Sequence, residues 1–247
     1  EFDITQLRRA CATLVARHDQ LRTSFHLDGA DLIQHVHKEV PDVVSQVLVS
    51  PQEAAVRLAA EPRPFDLSQA PLFRVEVLTV SDTEHYLQLD LHHIVGDQAS
   101  LAVLTQDLIN AWADHDLGVA PMPYPTCMAK IAELEASGAL ARDVAFFTTM
   151  LGDAPARLEL PYDHTQPEEP TFVGDRITLE SPVTKETLIR LASSCKATPY
   201  SVFLTAIGRV LNLFSGQSQF LIGTAVSGRT IPGAEGTVGM FVNTLPL

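Results

Sequence analysis

Two adjacent histidines, with an aspartate four residues past the second, are the residues of this chain best suited to chemistry: His92-His93-Ile94-Val95-Gly96-Asp97. A neutral imidazole is a general base near pH 7, and a nearby carboxylate can orient a group or pair with a cation. The segment leading in, HYLQLDLHH (85–93), alternates as a strand does, with Leu87, Leu89 and Leu91 on one face and Tyr86, Gln88 and Asp90 on the other. If the strand runs through both histidines, His93 shares the leucine face, inward and water-poor, where an imidazole stays neutral. His92 then faces the opposite side. The same residues also read as a satisfied core histidine beside an Asp that caps the next helix.

Other candidates carry less. His35 and His37 alternate on a strand and share a face, but no third ligand at a standard spacing and no Cys pair accompanies them, so a metal is not expected. GAEGTVG (233–239) lacks the glycine spacing of a dinucleotide loop, and Ser227 in TAVSG lacks the first glycine of a nucleophile elbow. Arg17 and Arg22 sit at the end of the first helix, by default as solvated charges at its C-terminus. Arg74, inside an alternating strand, by default snorkels or pairs with a surface acid.

These residues need elements to position them. Leu7, Cys11, Leu14, Val15 and Leu21 form the apolar stripe of a helix over residues 3–21, with Asp3 or Thr5 as cap. RTSFHLDGADLIQHVH predicts two strands turning at Asp28-Gly29. A helix over 51–61, strands over 72–80 and 85–93, and helices over about 98–113 and 128–151 follow. The stretch 152–172, with Pro155, Pro161, Pro167 and Pro170, reads as a linker. Beyond it the pattern predicts a strand over 173–180, helices over 184–195 and 199–214, and a buried strand over 219–226. Strands and helices on both sides of the linker suggest two α/β units.

Composition excludes several classes. Formal charge is −13, from 17 Lys and Arg against 30 Asp and Glu, and no basic run offsets it, so nucleic acid and anionic membrane are poor partners. No apolar stretch is long enough to span a bilayer, and nothing resembles a signal peptide. Three well-separated cysteines, Cys11, Cys127 and Cys195, fit a reducing cytoplasm with buried thiols. The chain starts at Glu1 and ends within an apolar run, as a piece of a longer polypeptide would.

Together these segments resemble the condensation domains of nonribosomal peptide synthetases, in the chloramphenicol-acetyltransferase-like superfamily. LVARHDQLRTSF is similar to the family's Arg-His-Glu-x-Leu-Arg-Thr-x-Phe segment, with Asp19 for Glu. PFDLSQAPLFRVEVL resembles its Pro-Phe-Asp-Leu…Pro-Leu-x-Arg segment, and LHHIVGDQAS its His-His-x-x-x-Asp-Gly motif, with Gln98 at the last position. IGTAVSGR is similar to Ile-Gly-Thr-Pro-x-x-x-Arg, and VGMFVNTLPL to a segment ending Phe-Val-Asn-Thr-Leu. YPTCMAKI shares only Tyr124 with a further family pattern.

The resemblance implies an α/β fold of two acetyltransferase-like subdomains, 1–160 and an incomplete 161–247, arranged as a V around a tunnel. It implies no bound cofactor. Substrates would arrive on phosphopantetheine arms of donor and acceptor peptidyl carrier domains, with an adenylation domain adjacent, and the acceptor amine would attack the donor thioester to give an amide. His93 would be the base or amine positioner, beside His92. Asp97 would be salt-bridged to an arginine, Arg17 first and Arg22 second. Gly96, Gln98 and Asn243 would line the tunnel. Epimerisation, ester formation and a catalytically silent module that recruits a partner enzyme are the alternatives on this fold. Heterocyclisation is disfavoured because that branch replaces the histidines with Asp.

Overall fold

The computed structural model describes residues 2–152, 154–155, 157–165, 167–171 and 173–247. Asp3 starts the first helix by accepting from the Thr5 and Gln6 amides at 2.8 and 3.3 Å, so α1 runs Ile4–Arg17. A single 3-10 turn, Asp19–Arg22, leads into β1 (Thr23–Asp28) and β2 (Asp31–Val36). These pair antiparallel, and Gly29 takes the left-handed conformation in their turn, with φ +63°.

β3 (Val44–Leu48), α2 (Pro51–Ala59) and β4 (Phe73–Thr79) then form a β-α-β unit with parallel pairing, Val44 opposite Val75. The sequence reading passed over β3: it is short, and its partner lies beyond a whole helix. β5 (His85–Leu91) pairs antiparallel with β4, giving the order β3-β4-β5. Phe73, Val75 and Val77 of β4 pack against Leu7, Cys11 and Leu14 of α1 and against Leu104 and Leu108 of α3 (Gln98–Trp112). Each such side chain contributes roughly 1.5–3 kcal/mol by leaving water. Leu89 and Leu91 join this core half-buried, whereas Leu87 is 43% exposed, so the leucine face of β5 is covered only toward the end that carries the histidines.

The helix expected over 128–151 is two, α4 (Tyr124–Ala136) and α5 (Ala141–Leu151), interrupted at Gly138 with φ +75°. α6 (Lys185–Ser194) and α7 (Pro199–Ser215) are capped by Thr184 and Thr198. Gly216 closes α7 in the left-handed conformation. Short strands β6 (Gly223–Val226) and β7 (Asn243–Pro246) pair with each other. Residues 173–180 form no strand. Val173, Ile177 and Leu179 alternate as expected but stand exposed, and an alternating segment becomes a strand only where another strand pairs with it.

The chain divides into two compact units, Glu1–Leu140 with Ala225–Asn243, and Ala141–Thr224 with Thr244–Leu247. The division therefore falls at 140/141 rather than the expected 160/161, and residues 225–243 return to the first unit. Cys11 and Cys127 are buried as expected, but Cys195 is exposed. Among the described residues no helix is long and apolar enough to cross a membrane.

Candidate functional site

The strand does not run through the histidines. β5 ends at Leu91, and the His92 amide donates to the Leu72 carbonyl at 3.0 Å before the chain turns into a 3-10 helix, His93–Val95. His92 caps that turn with its ring: Nδ1 accepts from the Ile94 amide at 3.1 Å, which leaves the proton of the neutral imidazole on Nε2. With the alternation broken, His93 is exposed rather than inward. Its imidazole sits at the start of the turn, open to solvent. Ile94 and Val95 pack below with Phe25, Phe65 and Leu72.

Gly96 takes an extended conformation open to any residue, yet a Cβ there would stand 2.5 Å from Leu91 Cδ2 and 3.2 Å from Ser100 Cβ. It is buried packing rather than a lining of open space. Gln98 is exposed at the first position of α3, and Asn243 is exposed at the first position of β7.

Asp97 caps α3 and anchors the site. Its Oδ1 accepts from the Ser100 amide at 2.9 Å, and its Oδ2 from the Phe241 amide at 3.2 Å. The Arg229 guanidinium closes on both oxygens, Nη1 to Oδ2 at 2.7 Å and Nη2 to Oδ1 at 2.8 Å, while also reaching Ser100 Oγ and the Thr237 carbonyl. Both side chains are more than nine-tenths buried. Burial alone would raise the Asp97 carboxyl, but the Arg229, Ser100 and Phe241 donors outweigh it and hold it down at about 2. A carboxylate so fully occupied orients structure and is a poor proton carrier.

Two glycines let the 225–241 segment lie against this carboxylate. Gly228 has φ +63°, and a Cβ there would strike the Phe241 carbonyl at 1.9 Å; one on Gly239 would strike the Tyr124 ring at 2.0 Å. Tyr124 in turn donates its hydroxyl to the Met240 carbonyl at 3.0 Å, which gives a role to the one residue YPTCMAKI shares with its family pattern.

The expected partners of Asp97 are placed elsewhere. Arg17 bonds Asp107 through Nε at 3.0 Å and the Leu117, Gly118 and Val119 carbonyls through its other nitrogens. α1 packs along α3, so its C-terminus meets α3 near Asp107, about 15 Å from Asp97 at the helical rise. Arg22 donates to the His37 carbonyl at 2.7 Å. The signal for the true partner was the family segment IGTAVSGR, whose last residue is Arg229. Ser100 had no sequence signal beyond its place three residues after a capping Asp.

Arg74 bonds Asp90 as expected, the two standing opposite each other on β4 and β5. His35 and His37 do share a face, with ring centroids 4.5 Å apart. Among the described residues no group of three or more His, Cys, Asp or Glu side chains could hold a metal ion.

The condensation domain family model matches residues 1–247. Plipastatin synthase subunits C and D of Bacillus subtilis (strain 168) are 34% and 36% identical over 100% and 98% of the chain. Tyrocidine synthase 3 of Brevibacillus parabrevis is 32% identical over 100%. The chain spans only 10%, 7% and 4% of these relatives' lengths. Among solved structures, the X-domain from teicoplanin biosynthesis superposes with TM-score 0.83 at 23% identity, and the epimerization domain of the third module of tyrocidine synthetase B with 0.81 at 20%. The first condensation domain of the CDA synthetase gives 0.73 at 21%. In each case the whole chain is covered, against 58%, 59% and 62% of the other chain.

The fold is thus chloramphenicol-acetyltransferase-like, with a His-His-x-x-x-Asp turn anchored by a buried aspartate. The chain belongs to the condensation domain family of nonribosomal peptide synthetases.

Proposed function

We propose that this chain forms an amide bond between a donor acyl thioester and an acceptor aminoacyl thioester. Both substrates arrive on phosphopantetheine arms of carrier domains, with an adenylation domain as neighbour in a cytoplasmic synthetase. The observation that carries the reading is His93, exposed at the start of a turn held by the His92 cap on one side and by Asp97 and Arg229 on the other. The acceptor amine attacks the donor carbonyl, a C–N bond forms, the C–S bond breaks, and the donor arm leaves as a thiol. His93 holds the amine and takes its proton, which can pass to the departing sulfur. A thioester is already activated, so proximity of the tethered reactants supplies most of the rate and proton transfer by His93 about 10²–10⁴-fold more.

Loaded donor and acceptor carrier domains, with product followed by mass spectrometry, test this directly. His93→Ala should lose product by that factor with an unchanged melting temperature. Full turnover by a folded His93→Ala protein would leave proximity as the whole mechanism.

Gln98, where the family motif has Gly, favours a second reading, a catalytically silent module that recruits a partner enzyme. A wild-type protein that forms no product, with Gln98→Gly equally inactive, would support that reading.

A further inference from the structure

Phe65, on the proline-rich approach to β4, and Arg74, within that strand, are used by no step above. Phe65 lies under the Arg74 guanidinium, whose central carbon stands 3.8 Å from the ring centroid. Arg74 is itself held in place: Nε donates to Asp90 Oδ2 at 3.2 Å, and Nη2 reaches both Asp90 and the Arg63 carbonyl. Phe65 also meets the His92 imidazole in an edge-to-face contact, with centroids 6.0 Å apart and planes at 88°. The order Asp90–Arg74–Phe65–His92 therefore ends on the ring whose Nδ1 caps the His93 turn.

We propose that Phe65 and Arg74 are positioning residues, which fix the His92 imidazole by stacking so that its Nδ1 faces the Ile94 amide and the His93 turn keeps one conformation. The inference rests on the reading of His93 as the group that meets the amine. A half-buried imidazole can swing about its side-chain bonds, and only one ring plane lets Nδ1 meet the Ile94 amide. The perpendicular Phe65 ring holds that plane, and the flat guanidinium restricts Phe65. Lysine cannot replace it, because an ammonium pairs with Asp90 as a point charge and offers no plane to stack. Small misplacements of a reacting group can cost up to about 100-fold in rate.

The test uses Phe65→Leu, which keeps apolar bulk without a ring, Arg74→Lys, and Phe65→Tyr as the conservative variant. Nitrogen-15 spectra of the histidines and exchange of the Ile94 amide report the cap, alongside kcat, KM and melting temperature. Phe65→Leu and Arg74→Lys should shift the His92 Nδ1 signal and speed Ile94 exchange. They should lower kcat about 10-fold with KM nearly unchanged and the fold intact, while Phe65→Tyr restores all three. Unchanged His92 and Ile94 signals in both variants would overturn the proposal, as would a loss of kcat that only follows a fall in melting temperature. His93→Ala is measured in parallel. If it turns over normally, the reading of His93 fails, and the positioning role is then judged on the His92 and Ile94 signals alone.

Discussion

Asp97 and Arg229 meet as a two-pronged ion pair, Nη1 to Oδ2 at 2.7 Å and Nη2 to Oδ1 at 2.8 Å, across 132 positions of sequence. The pair pins the return segment 225–243 to the start of α3, immediately past the histidine turn. Its net contribution is modest, because desolvation of two buried charges offsets most of their attraction. Removing one partner strands the other.

Asp97→Ala and Arg229→Ala should each lose roughly 3–5 kcal/mol of stability in urea melts. The double change should cost clearly less than the sum of the two singles, as contacting partners do. Asp97→Ala combined with Arg17→Ala should instead be additive, since Arg17 bonds Asp107. Coupling between Asp97 and Arg17 would contradict the placement of both.

Acid should act through the same carboxylate. Asp97 is held at about 2 against an ordinary 3.8, so its contribution is present above pH 4 and is lost as pH falls through 2. The difference amounts to about 2 kcal/mol. Asp97→Asn should be less stable than wild type at pH 7, with the gap narrowing steadily between pH 4 and pH 2. A constant gap would mean that the carboxylate is not depressed.

His18 titrates in the same sense by a different cause. It is buried with Nε2 on Asp107 at 2.9 Å, and burial, acting against that hydrogen bond, pushes its pKa below the usual 6.5. The unfolded chain binds the proton more readily than the folded one, so stability falls as pH drops below about 6.5. His18→Gln should flatten the part of the stability–pH curve between pH 7 and pH 5, as read by thermal melts. An unchanged slope would show that burial does not lower the proton affinity of His18 in the fold.

Close approach requires glycine at position 228. Gly228→Ala must push aside the Phe241 backbone, whereas Gly29, with the same φ of +63°, has open space around its missing Cβ. Gly228→Ala should therefore lower the melting temperature well beyond Gly29→Ala, which bears only the backbone strain. Equal losses at the two positions would mean that the Gly228 and Phe241 backbones do not approach this closely.

Local patterns were legible wherever a residue's neighbours in sequence decide its state. Asp3 caps α1, Asp28-Gly29 turns a hairpin, and the alternation of 72–80 becomes β4 with Phe73, Val75 and Val77 inward. The His-His-x-x-x-Asp spacing marked the candidate site, because its residues stand close together in sequence. What lay beyond was decided by contacts distant in sequence. β3 exists because β4 offers it a parallel edge, while 173–180 alternates equally well and stays irregular. His93 turned outward because the chain folds into a 3-10 turn two residues before the expected end of the strand, with the Val95 amide on the His92 carbonyl and the Ile94 amide on His92 Nδ1, which no alternation rule contains. Arg17 and Arg22 were the candidates in the sequence, and Arg229 stood without a role at the end of IGTAVSGR. Only the packing of α1 against Asp107, and of a glycine-bearing return segment against α3, determined which guanidinium reaches Asp97.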